Sequence, residues 1–408
     1  MPEPSPPHGA VSRPLALLAL LALILVAVNL RPAIAMIGPL LEPMQAELAL
    51  SHRGAGLLTS LPTLAMGLFA FAGGWLVSHL GLRRAGRLAL LLLAGATLLR
   101  WQAHSTAWLL TTALVAGAGI AVVQVVLPAY LQARFPHRLA GTMGLYTAAV
   151  ILGAGGAAAL APWLADVLGS WQAALAVAAL PVLAGLVAWQ RAAPATAPPA
   201  PHDAPTGGVS WPAALGFGTF FALGTSLYTA LLAWLAPIHV EAGFSAQQAG
   251  LAVLGFTLAE AAGALMLPLL STPTDRRRAL AIAFLLVGTG LTGMLLAPRE
   301  LPWLWLALAG AGVGGIFPLS MVLPLDAIAE PAHAAPLMAR ALGVGYTLAA
   351  PAPWLVGLLR DRLGGFDAAL LGLLALVGLM ALISRRLQPA TAVMAGAPQR
   401  GGRQRQRA

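Results

Sequence analysis

Ala161-Pro162-Trp163-Leu164, near the end of one apolar stretch, returns as Ala352-Pro353-Trp354-Leu355 near the end of another, and the surrounding sequence returns with it. Gly144-Leu145-Tyr146-Thr147 precedes the first copy and Gly345-Tyr346-Thr347 the second, while Leu168-Gly169 and Leu363-Gly364 follow them. Further upstream, Ala116-Gly117-Ala118-Gly119-Ile120 running to Val126-Leu127-Pro128 corresponds to Ala309-Gly310-Ala311-Gly312-Val313 running to Val322-Leu323-Pro324, and Ala55-Gly56-Leu57 to Ala249-Gly250-Leu251. The paired positions lie 191 to 201 residues apart. One pattern of apolar segments written twice in the same order predicts two similar halves, related as parallel repeats with a site at the midplane between them.

The segments are long enough to cross a bilayer. Twelve apolar runs lie near 14–38, 54–80, 87–104, 107–132, 139–164, 169–189, 212–238, 246–270, 279–297, 302–325, 334–359 and 366–384, each long enough for about 30 Å of hydrocarbon at 1.5 Å per residue. Apolar residues make up 59% of the chain and charged ones 9%, with a mean hydropathy of +0.84, more apolar surface than a soluble core of this size can bury. The runs are continuous rather than alternating, so the expectation is an all-α membrane protein and not a barrel. Twelve transmembrane helices would form two six-helix bundles, residues 14–189 and 212–386. Residues 1–13 are expected to be a disordered N-terminus, 190–211 an Ala- and Pro-rich linker, and 387–408 a basic disordered tail. Ala33-Ile34-Ala35 resembles a signal-peptidase site, but cleavage there would leave eleven spans, so the first run is read as a retained helix.

All 23 basic residues are Arg. With a cytoplasmic N-terminus, seventeen of them (among them Arg83, Arg84, Arg87, Arg134, Arg138, Arg191, Arg276 to Arg278 and the tail) fall on the cytoplasmic side. The other side receives Arg53, Arg100, Arg299, Arg360 and Arg362. This asymmetry predicts a multi-pass protein with both termini in the cytoplasm. The net charge of +10 is therefore a topology signal and not that of a nucleic-acid binder, although the tail arginines could touch anionic membrane lipid. With no cysteine, disulfides, thiol catalysis and thiolate metal sites drop out. The eight His lie in loops, tails or helix ends, so no constellation for an intramembrane hydrolase exists at depth. A non-transporting membrane receptor is the alternative from a different class; it would be expected to carry a signalling domain, and none is read in the sequence. Neither a cofactor nor a metal is implied, and the chain is expected to work as a monomer.

An ionisable group inside a span costs about 2.5–3.5 kcal/mol on insertion scales, so each one calls for a reason. Arg31, in Asn29-Leu30-Arg31-Pro32, stands two-thirds of the way along the first run. Pro32 cannot donate to the carbonyl of Val28, which leaves a free acceptor beside the guanidinium. Arg31 reads either as a fixed charge offering a planar donor fork to a small anion or as a structural ion-pair partner. Glu260, mid-way along the eighth run, reads as a proton-coupling site, an ion partner of Arg31, or a protonated carboxyl bonded to a neighbouring helix. Gln124, Tyr146, Tyr228 and Tyr346 recur at similar depths and are candidate substrate contacts, with packing as the alternative. Asn29 reads as a bond between helices. Asp166 and Asp326 lie near helix ends, where interfacial roles are expected.

Taken together, several segments resemble a known family. Asn29-Leu30-Arg31-Pro32 with Ile37-Gly38-Pro39-Leu40-Leu41, Gly56-Leu57-Leu58-Thr59-Ser60-Leu61-Pro62, Phe135-Pro136-His137-Arg138 with Gly144-Leu145-Tyr146, and Gly314-Gly315-Ile316-Phe317-Pro318-Leu319 with Asp326 are similar to the cyanate porter (CynX/NimT) family of major-facilitator transporters. The likeness runs from about residue 28 to 384. Gly81-Leu82-Arg83-Arg84-Ala85-Gly86-Arg87 resembles the superfamily's loop signature, except that Ser78 and His79 stand near the position of its usual Asp; the second half keeps Asp275-Arg276-Arg277-Arg278. The resemblance implies the major facilitator fold and a cytoplasmic (inner) membrane transporter for cyanate or another small anion, working by alternating access with possible proton symport. Export of 2-nitroimidazole-like or other small drug-like compounds is the alternative it implies. In the matching stretch it leads one to expect an amide such as Gln where this chain has Glu260.

Overall fold

The computed structural model describes residues 13–135, 138–193, 211–272, 275–326 and 334–385. The predicted N-terminal dozen, most of the linker, and the tail lie outside them. Fifteen α-helices run through the described residues: α1 Arg13–Ala27, α2 Pro32–Ala35, α3 Leu41–Leu48, α4 His52–Leu98, α5 Thr106–Arg134, α6 Leu139–Leu168, α7 Trp171–Val177, α8 Ala179–Ala192, α9 Trp211–Glu241, α10 Ala246–Met266, α11 Arg277–Leu296, α12 Pro302–Asp326, α13 Ala334–Ala349, α14 Pro351–Leu363 and α15 Asp367–Arg385. Among the described residues, ten helical stretches are long and apolar enough to cross a membrane.

Departures from the predicted runs have local causes. The first run is not one helix. It breaks after Ala27, resumes at Arg31 and continues through a 3-10 turn, Gly38–Leu40, into α3, because Pro32 and Pro39 each remove a donor from the ladder. The run predicted at 54–80 and most of that at 87–104 lie in the two arms of the 47-residue α4, the latter ending in a 3-10 turn, Leu99–Gln102. A straight helix of that length would reach about 70 Å, more than twice the hydrocarbon thickness. The chain breaks at Gly81, whose φ of 73° and ψ of 159° only glycine adopts without strain. The eleventh run divides where Pro351 starts α14, and the sixth divides at Ala178.

Four helices begin at the end of the molecule away from Arg13 and Arg385 with a serine cap. Ser51, Ser105, Ser170 and Ser245 accept from the backbone N–H groups of Gly54, Trp108, Ala173 and Gln248, satisfying donors that the helix start leaves free. Across this far end the two halves are joined. The Asp361 carboxylate of α14 takes the backbone N–H of His52 at 3.0 Å and of Arg53 at 2.9 Å, and lies 2.9 Å from the His52 ring, so it caps the start of α4 from the opposite half. Trp234 Nε1 donates to the Pro353 carbonyl within the second half, while Trp354 N donates to Ser60 Oγ and Gln247 Nε2 to Asp166 between halves.

The Asp361 cap makes a test of the far-end closure. Asp361→Ala removes a charged acceptor from two backbone donors, a loss of about 0.5–2 kcal/mol, or roughly 2- to 30-fold in the closed-to-open ratio. The chain has no native cysteine, so spin labels at exposed His104 and Glu300, one in each half, report the far end cleanly. The expected result is a longer-distance population in the variant; an unchanged distance distribution rules out a closing role for Asp361.

Candidate functional site

Halfway between the ends, the break in the first span presents Arg31. Asn29 and Leu30 close 3-10-like bonds to Val26 and Ala27, and Arg31 sits as the N-cap of α2, its carbonyl accepting from Ile34 and Ala35. Asn29 donates to the Pro181 carbonyl on α8 at 2.9 Å, the bond between helices read from its sequence position. The freed carbonyl of Ala33 is taken by Arg100, whose Nη1 lies 2.6 Å away. Arg100 was expected on the far surface; it is 1% exposed, drawn inward by that carbonyl. Its position near the end of an apolar run resembled an ordinary flanking arginine, so the sequence carries no signal of the role.

Arg31, Gln124, Tyr146, Tyr228, Glu260 and Tyr346, which stand on six different stretches of chain, line one chamber of about 90 Å³. Arg31 and Glu260 are each 7% exposed. The Arg31 guanidinium carbon lies 5.4 Å from the centre of the Tyr228 ring, within cation–π range. Tyr346 packs edge-on to Phe221 with ring centres 5.3 Å apart, and Phe221 meets Phe317 at 5.5 Å, a stack that fixes one wall. Arg31 Nε and Glu260 Oε2 are buried without a hydrogen-bond partner in the protein. The two charges face one chamber, and no salt bridge joins them among the described residues. Thr147, Val150, Ile151, Gly224, Val313 and Phe317 complete the lining. Sequence reading missed these because small and apolar residues at depth look alike whether they pack or line a cavity.

The position of Glu260 follows from a close helix crossing. Gly314 of α12 lies directly against the Glu260 carbonyl, where a Cβ would collide with the backbone. The closeness of α10 and α12 is thus set by glycine, and it carries the carboxyl to the chamber wall. Beyond Glu260 the chamber meets a wider cavity of about 440 Å³ between α6, α10 and α12. Thr147, Ile151, Glu260 and Phe317 line both. The wider cavity extends to Met143, Met321 and Val322, near the end where α6 begins and α12 finishes. The chamber therefore leads toward one end of the molecule and is separated from the other by the contacts around Asp361 and Asp166. Of Asp326, only the backbone at the end of α12 is described.

The Major Facilitator Superfamily model matches residues 23–339. The chain belongs to this superfamily. Within it, the chain is 39% identical to the cyanate transport protein CynX of Escherichia coli (strain K12), over 91% of this chain and 97% of that one. It is 32% identical to the 2-nitroimidazole transporter of the same organism, over 88% and 92% respectively. These two relatives place it in the CynX/NimT family that the sequence motifs resemble. The superfamily fold is also shared with the D-xylose-proton symporter, at a TM-score of 0.73 and 14% identity over 93% of this chain and 99% of that structure.

Proposed function

We propose that the chain is a secondary transporter of the cytoplasmic membrane that moves a small anion, cyanate or one like it, by alternating access. Counting the two arms of α4 as separate spans makes twelve, six in each half, with both termini in the cytoplasm in keeping with the arginine asymmetry. The protein works as a monomer, and Glu260 couples anion movement to a proton. The observation that carries this reading is Arg31, a buried guanidinium at a helix break whose Nε–H donor has no hydrogen-bond acceptor among the described residues. A chamber of about 90 Å³ is small beside the roughly 300–1,000 Å³ of pockets that take drug-sized ligands, which favours a small solute. The relative named as a cyanate transport protein supports the same substrate class.

A second reading has an observation of its own. The wider cavity is lined mainly by apolar side chains, including Met143, Ile151, Leu265, Phe317 and Met321, with Glu260 at its edge. That lining suits a flat, weakly basic aromatic solute, as in export of a nitroimidazole. Counterflow in proteoliposomes separates the two. Vesicles loaded with unlabelled cyanate are expected to accumulate labelled cyanate, with 2-nitroimidazole a poor competitor. Exchange of 2-nitroimidazole without any cyanate counterflow overturns the anion reading.

A further inference from the structure

At the end of the molecule where the second arm of α4 begins, a separate cavity of about 250 Å³ is lined by Arg83, Arg84, Arg87 and Gln190. It lies outside the transport path. Arg83 and Arg87 are one helical turn apart, as are Arg84 and Arg87, so three like charges share one region of a single helix, a repulsive arrangement unless an anion compensates it. Among the described residues no carboxylate pairs with them. Between Glu47 and Asp166 the sequence holds no acidic residue at all.

The cluster stands on a rigid floor. Gly86 lies flush against the ring of Trp189, where a Cβ would come within 2.5 Å of the indole. Trp189 is buried, packs on Tyr130 with ring centres 5.0 Å apart, and donates from Nε1 to the Arg83 carbonyl at 3.2 Å. Arg83 Nη2 in turn donates to the Gln190 carbonyl at 2.6 Å. This pair of bonds ties the end of α8 to the start of the arm and holds one guanidinium at the cavity wall. Arg84 and Arg87 are exposed. Leu88 and Leu91, just beyond them on the same arm, leave apolar surface exposed, so the arginines stand where a membrane-spanning helix meets the headgroup layer.

We propose that this cavity binds a phosphate group, and specifically the phosphate of an anionic lipid whose acyl chains lie along the apolar surface around Leu88 and Leu91. Guanidinium forks match phosphate oxygens with paired, charge-assisted hydrogen bonds, and basic pockets at the ends of membrane helices take lipid headgroups on the same ground.

The test uses the full chain, purified in neutral detergent and probed with short-chain phosphatidylglycerol, short-chain phosphatidylcholine, and inorganic phosphate. Native mass spectrometry reads bound lipid, and thermal unfolding reads stabilisation. Phosphatidylglycerol is expected to bind and stabilise the wild type more than phosphatidylcholine does. The double variant Arg84→Gln/Arg87→Gln is expected to bind it about 30-fold more weakly. Arg84→Lys/Arg87→Lys, which keeps the charge, retains an intermediate affinity and guards against misfolding of the neutral variant. Arg385→Gln, at a different cavity, leaves binding unchanged. Stabilisation by inorganic phosphate as strong as by the lipid, and lost in the double variant, keeps the phosphate site but assigns it a soluble ligand. Equal phosphatidylglycerol binding by the wild type and the double glutamine variant, or no preference over phosphatidylcholine in the wild type, overturns the proposal.

Discussion

Arg31→Ala protein, inserted and monodisperse, is expected to perform anion counterflow at least about 100-fold more slowly than the wild type. The guanidinium offers a fixed fork, and each hydrogen bond to a charged group contributes about 1.5–3 kcal/mol, so loss of a two-bond contact in a dry chamber reaches that factor readily. Arg31→Lys should lose about tenfold, because the ammonium keeps the charge but not the fork and cannot occupy the same span of the wall. The fold should tolerate both changes. The break at Pro32 persists without the guanidinium, and the freed Ala33 carbonyl is satisfied by Arg100 and not by Arg31. Initial rates in proteoliposomes, with size-exclusion profiles as the control for folding, decide it. Counterflow at the wild-type rate in Arg31→Ala removes Arg31 from substrate binding and leaves it a structural role.

Much of this arrangement is written in the sequence as violations of the rule that spans are apolar. Arg31 and Glu260 are costly in hydrocarbon, and that cost singles them out before any geometry is known. The three tyrosines and Gln124 were legible for a weaker reason, since amphipathic residues at equal depth can meet at a midplane only if the spans run in register. A further signal went unread: Ser51, Ser105, Ser170 and Ser245 each stand just ahead of a helix that they cap. Arg100 shows where the pattern runs out. Its burial depends on a carbonyl sixty-seven positions away that is left free where the short α2 ends and Ile37 N bonds to Ile34 instead, a relation between two segments that neither segment contains. The closeness of Gly314 to Glu260 is of the same kind. A glycine-rich helix announces close packing but does not name its neighbour. Asp361 falls between these cases, because an acidic residue at a helix end reads as a surface charge until the start of α4 is brought under it.

Glu260→Gln is expected to retain anion counterflow while losing accumulation driven by a pH gradient. The reasoning starts from energy. Moving one anion inward against an interior-negative potential costs about 2.3 kcal/mol per 100 mV, so uptake above equilibrium needs a co-transported cation, and one proton makes the cycle electroneutral. Among the described residues Glu260 is the one carboxyl that lines the chamber with Arg31. Ionised, it offsets the guanidinium and repels an entering anion. Protonated, it leaves that positive charge free for the anion, so proton and anion favour each other's binding by the same factor. Glutamine holds the neutral form permanently and nearly preserves the shape. Exchange of anion for anion then proceeds, because it needs no proton, whereas net uptake loses its link to the gradient and falls to the level set by the membrane potential alone. Vesicles with an imposed inward proton gradient, assayed beside counterflow in the same preparation, separate the two activities. Gradient-driven accumulation at wild-type levels in Glu260→Gln excludes the carboxyl from coupling, and loss of both activities reassigns it to substrate binding.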